Sequence, residues 1–377
     1  MSGAEKERVF EVDSSLVEPG VLALGRQGGW KASAGGPDAI RLHSNENPLG
    51  PSPAACAALR GSIAGVSTFP DCTSQALTEA LADRHGVSPS QVVVGHGSTE
   101  IIQLLVRAFV RPGETVVCPW PSFVMFRLAA QATNREVLTA PLRGFRVDLA
   151  AVAGLVDQRA KIVFLANPNN PTGTYLRRRE LSAFLDRLPP HVIVALDEAY
   201  FEFVTASDFP DGIAAMKARK RVVVLRTFSK IFGLAGIRLG YGVMESELSR
   251  FVHAVRGPYN VSGPAQAAGL AALRDVQHLE RSQELVRRER ARLSRSLNQL
   301  GFEVCPSQAN FLCVRSSGPA QGLVQELRDS GILVASLDAY DLPDCFRVSV
   351  GCAQANDRLL EALTRLRSLD PLGTGTE

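Results

Sequence analysis

HVIVALDEA (191–199) and RVVVLRTFS (221–229) are apolar at successive as well as alternate positions. That is the pattern of strands covered by helices on both sides, not of strands with one wet face. The same texture recurs in QVVVG (91–95), TVVCP (115–119) and KIVFLAN (161–167), each followed by a turn. TEIIQLLVRAF (99–109) and RRRELSAFLDRL (177–188) place apolar residues three and four apart, as helices do. Alternation of the two kinds predicts an α/β fold, with a large unit whose mostly parallel sheet lies between helices. Beyond about residue 265 the texture changes. An Arg- and Leu-rich helical stretch (284–301) leads into short strands such as NFLCVR and FRVSV, which alternate with GLVQELRDSG and NDRLLEALTRLRSL. This predicts a smaller α+β unit. The expected division is an N-terminal arm over 1–45, a large unit over 46–265 and a small C-terminal unit over 266–377, with the Pro- and Gly-rich opening (18–53) reading as an arm with turns.

The bulk properties exclude several classes of function. A chain of 377 residues, 45% hydrophobic and 21% charged, can bury sizeable cores, so disorder is ruled out. Its net charge of only +3 is poor material for binding nucleic acid. No apolar run approaches the ~20 residues that a membrane helix needs. The first twenty residues offer no signal-peptide core, and a cytoplasmic location is expected. Seven cysteines without a CxxC and six histidines without ligand spacing predict no metal site.

Six lysines stand among 41 basic side chains, which narrows the search for a nucleophilic amine. Lys6 and Lys31 fall in the arm, Lys161 opens a strand, and Lys217 and Lys220 sit in the charged run MKARKR. Lys230 differs, lying among Phe228, Ile231, Phe232 and Leu234 just beyond a strand. Desolvation there lowers an amine pKa and favours imine formation, although a snorkelling lysine at a sheet edge fits equally. Asp197 closes the run VIVAL. A carboxylate at the carboxyl end of a buried strand is costly unless a cation such as a protonated ring nitrogen needs it, the alternative being a cap or a structural ion pair. GHGSTE (95–100) links a strand to a helix, so its N–H groups with Ser98 and Thr99 could hold a phosphate. Glu100 in its last position departs from the dinucleotide fingerprint. Thr227, Ser229 and Arg238 could add phosphate contacts. NPNNPTG (167–173) is a stiff turn that could project an asparagine at a strand end, and PWPSF (119–123) brings Phe123 to an equivalent end where it could stack on a planar group.

Together these motifs resemble the class I/II aminotransferases that use pyridoxal 5′-phosphate, and within them the histidinol-phosphate aminotransferase branch. The matching pieces are SNENPLGP (44–51), FPD (69–71), GHGSTE, NPNNPTG, DEAYFEF (197–203), SKIFGLAGIRLGYG (229–242) and FRVSVG (346–351), in order along nearly the whole chain. The resemblance implies an aspartate-aminotransferase-like fold with 46–265 as the cofactor-binding unit. It implies that Lys230 forms the Schiff base with the cofactor aldehyde, that Asp197 keeps the ring nitrogen protonated, and that Asn170 and Tyr200 contact the ring hydroxyl. Gly97, Ser98, Thr99, Thr227, Ser229 and Arg238 would enclose the phosphate, Phe123 would stack on the ring, and Arg347 with Asn45 would meet the substrate. A ping-pong exchange between an amino donor and a 2-oxo acid follows, in a homodimer where the segment around Phe69 reaches the neighbouring subunit's site.

Three departures bear on the substrate. Phe69 and Phe123 stand where the family commonly has tyrosine, and Ala335, in GILVAS (331–336), stands where histidinol-phosphate enzymes often carry an arginine. Arg347 alone suits a carboxylate, so an ordinary amino acid fits at least as well as histidinol phosphate. Decarboxylation, elimination or cyclisation on the same cofactor, or a protein that binds it without catalysis, are the alternatives.

Overall fold

A computed structural model describes residues 14–26, 36 and 38–369. Lys6, Lys31 and much of the expected arm lie outside the described residues. Following a two-residue strand β1 (Ile40–Arg41), the chain builds one large sheet from β2 (Val92–Gly95), β3 (Thr115–Trp120), β4 (Glu136–Arg143), β5 (Arg146–Val147), β6 (Ala160–Ala166), β7 (Ile193–Asp197), β8 (Val222–Thr227) and β9 (Gly240–Val243). Their order is β2-β9-β8-β7-β6-β3-β4-β5. The central run β8-β7-β6-β3-β4 is parallel, whereas β9 runs against both β2 and β8 and β5 folds back on β4.

Alternate residues of the central strands enter different cores. Val163, Leu165, Val222 and Val224 pack on one side. Ile162, Phe164, Val223 and Leu225 pack on the other. Burial of both faces is the physical reason these strands read as unbroken apolar runs. Three strands gave no such signal, among them the two-residue β5. β4 is largely exposed and contains Pro141, while β9 is GYGV. Its glycines serve close packing, since a Cβ at Gly240 would fall 2.3 Å from the backbone nitrogen of Ser98.

The smaller unit is a four-stranded antiparallel sheet of β10 (Glu303–Val304), β11 (Phe311–Arg315), β13 (Ala335–Ser336) and β14 (Cys345–Ser349), with β12 (Ile332–Leu333) beside it. Leu312, Val314, Phe346 and Val348 pack with Leu293 and Leu297 of the helix Val276–Gln299 and with Leu359 and Leu363 of the helix Ala353–Leu369. Arg347, one step out of that alternation, belongs to the opposite face.

The opening is more structured than an arm with turns. It includes a helix, Pro19–Arg26, and β1 pairs in parallel with β12, Ile40 opposite Ile332 and Arg41 opposite Leu333. Leu42 follows into the small core. One Ile-Arg-Leu alternation is too short to announce a strand. Ser52 then caps the helix Pro53–Ser62, its hydroxyl accepting from Ala55 N at 3.1 Å. Among the described residues no helix is long and apolar enough to cross a membrane.

Candidate active site

Beyond the carboxyl ends of the parallel strands lies a cavity of about 460 Å³, where α/β sheets take their ligands. Strand β7 delivers Asp197 to its floor, only 3% exposed. Burial pushes the Asp197 carboxyl up to about 7, opposed by the N–H of Ala199 (3.1 Å to Oδ1) and by the charge of Lys230. A carboxyl held so far from its ordinary range stands ready for a cation. Beyond β8 the chain turns and places Lys230 in the same cavity, its Nζ donating to the carbonyl of Ser44 at 2.8 Å. Burial, with Arg347 and Arg238 adding repulsion, brings the Lys230 amine down to about 7, Glu46 and Asp197 opposing. At neutral pH a large share of this amine is uncharged and nucleophilic. Lys161, Lys217 and Lys220 are elsewhere; Lys217, for instance, donates to the carbonyl of His85.

One end of the cavity is an anion cradle. The helix Gly97–Phe109 starts there with Gly97 at φ +75°, and Ser98 and Thr99 line the wall. Thr227, Ser229 and Arg238 line it from the other side. Arg238 donates to Ser229 Oγ at 3.2 Å and to the carbonyl of Ala235 at 3.0 Å, and Thr227 Oγ1 accepts from Ser229 N at 3.0 Å. Gly97 stands behind the wall rather than in it, because a Cβ there would sit 2.6 Å from an Arg238 guanidinium nitrogen. Glu100, the residue that spoils the dinucleotide motif, accepts from Asn260 Nδ2 at 2.7 Å and from His96 N. Its carboxylate is not among the cavity's lining groups.

Between cradle and mouth lie the flat and polar groups. Phe123 lines the cavity with its ring edge-on to Phe126. Tyr200 is 5% exposed, and its hydroxyl accepts from Asn45 Nδ2 at 3.0 Å. Burial pushes that phenol up to about 12. Asn170 projects from the stiff turn after β6 and accepts from Arg347 Nη1. Arg347, from β14, also donates through Nη2 to the carbonyl of His43 at 2.8 Å. Every site residue expected from the sequence apart from Gly97 is therefore a lining residue of one cavity.

A model of the family described as "Aminotransferase class I and II" matches residues 37–366. The chain belongs to that family. It is a pyridoxal-phosphate-dependent aminotransferase that exchanges an amino group between small-molecule amino and keto substrates, and decarboxylating, eliminating or cyclising alternatives are not favoured. It is 46% identical to a histidinol-phosphate aminotransferase of Anaeromyxobacter sp. (strain Fw109-5) over 86% of this chain and 90% of that protein. A histidinol-phosphate aminotransferase of Symbiobacterium thermophilum is 43% identical, with the same coverage of each. Among solved structures, the histidinol-phosphate aminotransferase of Sinorhizobium meliloti, in complex with pyridoxal-5′-phosphate, superposes with a TM-score of 0.84 at 29% identity over 94% of this chain and 98% of that one. The expected family and fold are those found.

Several lining residues escaped the sequence reading. Ser44 contributes a backbone carbonyl, which no residue type announces. Tyr340 lines the cavity from a short 3-10 turn of the smaller unit, its ring stacked on Trp120 at 5.5 Å between centroids. His43 lines it from the segment after β1. The only signal for the last two was their nearness to SNENPLGP and FRVSVG.

Proposed function

We propose that this aminotransferase moves the amino group of histidinol phosphate to a 2-oxo acid, with pyridoxal 5′-phosphate seated between Asp197 and the cradle at Ser98. The observation that carries the site assignment is the placing of a desolvated amine, a buried carboxyl and an anion cradle in one cavity. The cofactor fits this donor set. A hydroxyl-rich helix N-terminus with one arginine suits a phosphate monoester, and a buried carboxyl whose proton affinity is raised by desolvation suits a ring N–H as partner. When bound, the cofactor supplies an electron sink for the pair left at the substrate Cα.

The chain supplies the rest. Ser98, Thr99, Thr227, Ser229 and Arg238 hold the phosphate, with Gly97 giving the backbone room to approach. Asp197 would keep a ring nitrogen protonated, Phe123 would stack on the ring, and Asn170 and Tyr200 would hold its hydroxyl oxygen. Lys230, as an uncharged amine, would take the substrate's Cα proton and hold it for return. Arg347 and Asn45 orient the substrate's acidic end. The purified protein given histidinol phosphate and 2-oxoglutarate should yield glutamate; release of CO₂ or ammonia without glutamate from any donor would overturn amino transfer.

A homodimer accompanies this reading. Phe69 is 81% exposed and stacks on Tyr259, with Ile63 and Val66 each 63% exposed nearby, an apolar patch suited to a second copy. Light scattering at micromolar protein should give twice the chain mass, and a single-chain mass would sink the idea.

A further inference from the structure

We propose that Trp120 is a positioning residue for substrate recognition: it holds the ring of Tyr340 at the cavity wall, so that the phenol stands beside Arg347 as a second donor to the substrate's acidic group. This rests on the amino-transfer reading above and names how the same site would recognise its substrate.

The acidic group needs more than Arg347 offers. That guanidinium has already given Nη1 to Asn170 and Nη2 to the carbonyl of His43. Opposite it on β13 stands Ala335, whose side chain brings neither charge nor hydrogen bond. A phosphate monoester presents three strong acceptor oxygens, so a guanidinium engaged in this way leaves acceptors for a neighbour to meet. Tyr340 lines the same cavity, and Arg347 is the charged group that acts on its phenol. A phenol oxygen that accepts from a guanidinium keeps its own O–H to donate. It needs no change of charge to do so.

What fixes that phenol is Trp120. Tyr340 ends a 3-10 turn of three residues, Asp338–Tyr340, between β13 and β14, and Asp338, Ala339 and Asp341 are exposed. So short a turn does not by itself set the direction of a long side chain. The ring packs on the small cluster of Cys305, Cys313, Leu337 and Cys345. It also stacks on Trp120, with centroids 5.5 Å apart and planes 17° from parallel. Trp120 is the last residue of β3 and so belongs to the other unit. The indole is itself held twice: its N–H donates to Asp341, the residue after Tyr340, and the Arg127 guanidinium lies 4.2 Å from its ring centroid. Asp341 sits at φ +58°, a left-handed conformation that aspartate tolerates better than most residues. The large unit thus sets the place of a side chain that the small unit carries. The indole is not among the cavity's lining groups, so its effect on a ligand passes through Tyr340.

The test uses the holoenzyme and a probe that cannot react, 3-(imidazol-4-yl)propyl phosphate, with affinity read by calorimetric titration at pH 7.5. Tyr340→Phe, which removes one oxygen, should bind the probe about tenfold more weakly, the scale of one hydrogen bond to a charged group. Trp120→Leu should lose about as much, and the double variant no more than either alone, because residues that act through one another are not additive. Trp120→Phe keeps an aromatic face but loses the N–H to Asp341, and should fall between, about threefold weaker than wild type; it replaces Trp120→Leu in the cycle if that variant does not fold. The affinity of each apoprotein for pyridoxal 5′-phosphate should stay within about twofold, since the cradle at Ser98 is untouched. Additive losses, wild-type affinity in any of the variants, cofactor affinity falling in step with the probe's, or no probe binding by wild type would each overturn the proposal. Histidinol phosphate turnover with 2-oxoglutarate is followed on the same samples. The expected cycle without glutamate formation removes the histidinol phosphate reading and leaves Trp120 its role; glutamate formed at an unchanged KM in every variant does the reverse.

Discussion

Lys230→Ala is expected to leave a folded protein that no longer holds its cofactor covalently. After borohydride reduction, mass spectrometry of the wild type should show one reduced pyridoxyl phosphate per chain on the peptide containing Lys230, and the variant should show none. Turnover should fall by at least ~10³-fold, since on the proposed assignment the nucleophile and the proton carrier vanish together. The wild-type apoprotein gives the complementary pH test. Because burial brings the amine down to about 7, its uncharged fraction, and with it the rate of cofactor capture, should climb as pH rises through about 7 and level off above. A capture rate still rising steeply toward pH 10 would mean an amine of ordinary basicity, and a full-yield adduct in Lys230→Ala would assign the chemistry to another lysine.

Asp197→Asn is the second large effect. The amide keeps the shape and can still accept the Ala199 N–H that now meets Oδ1 at 3.1 Å, but it cannot hold a proton on a ring nitrogen by charge. Turnover should drop by roughly 10²- to 10⁴-fold, the range typical of losing a positioned proton partner, with cofactor still bound. The sign of the stability effect is opposite. Since the carboxyl's affinity for its proton is higher in the folded apoprotein than in the unfolded chain, this group's contribution is present at acid pH and is lost as pH rises toward and through about 7. Asparagine escapes that loss, so thermal melting of the apo variant at pH 8 should match or exceed that of the wild type. A marked fall in melting temperature would show that Asp197 is needed for folding instead.

These two residues were legible in the sequence for physical reasons. Lysine is scarce here, so the one in an apolar setting stood out, and an acid ending a strand buried on both faces has few bland explanations. The parallel core was readable because burial on both sides erases alternation. Strands β4 and β9 were not, one being exposed with a proline and the other carrying two glycines, of which Gly240 makes room for the backbone at Ser98. The opening misled for another reason. Its order comes from partners some three hundred residues away: β12 for Ile40 and Arg41, and Ser349 for Asn45, whose N–H donates to that hydroxyl at 2.8 Å. Local pattern carries no trace of such contacts. Gly97 was legible from its motif, and the structure adds that its missing side chain leaves room for the Arg238 guanidinium.

Residues 43–45 reach three working side chains at once: Arg347 through the carbonyl of His43, Lys230 through that of Ser44, and Tyr200 through the amide of Asn45. With β1 laced to β12 just ahead of them, this stretch is a tether. Anyone trimming the protein to aid crystallisation, or cutting off a fusion tag with a protease, should therefore stay well upstream of residue 40, since a nick there would unmoor the carbonyl that the Lys230 amine now meets while the side chains lining the cavity stayed in the chain.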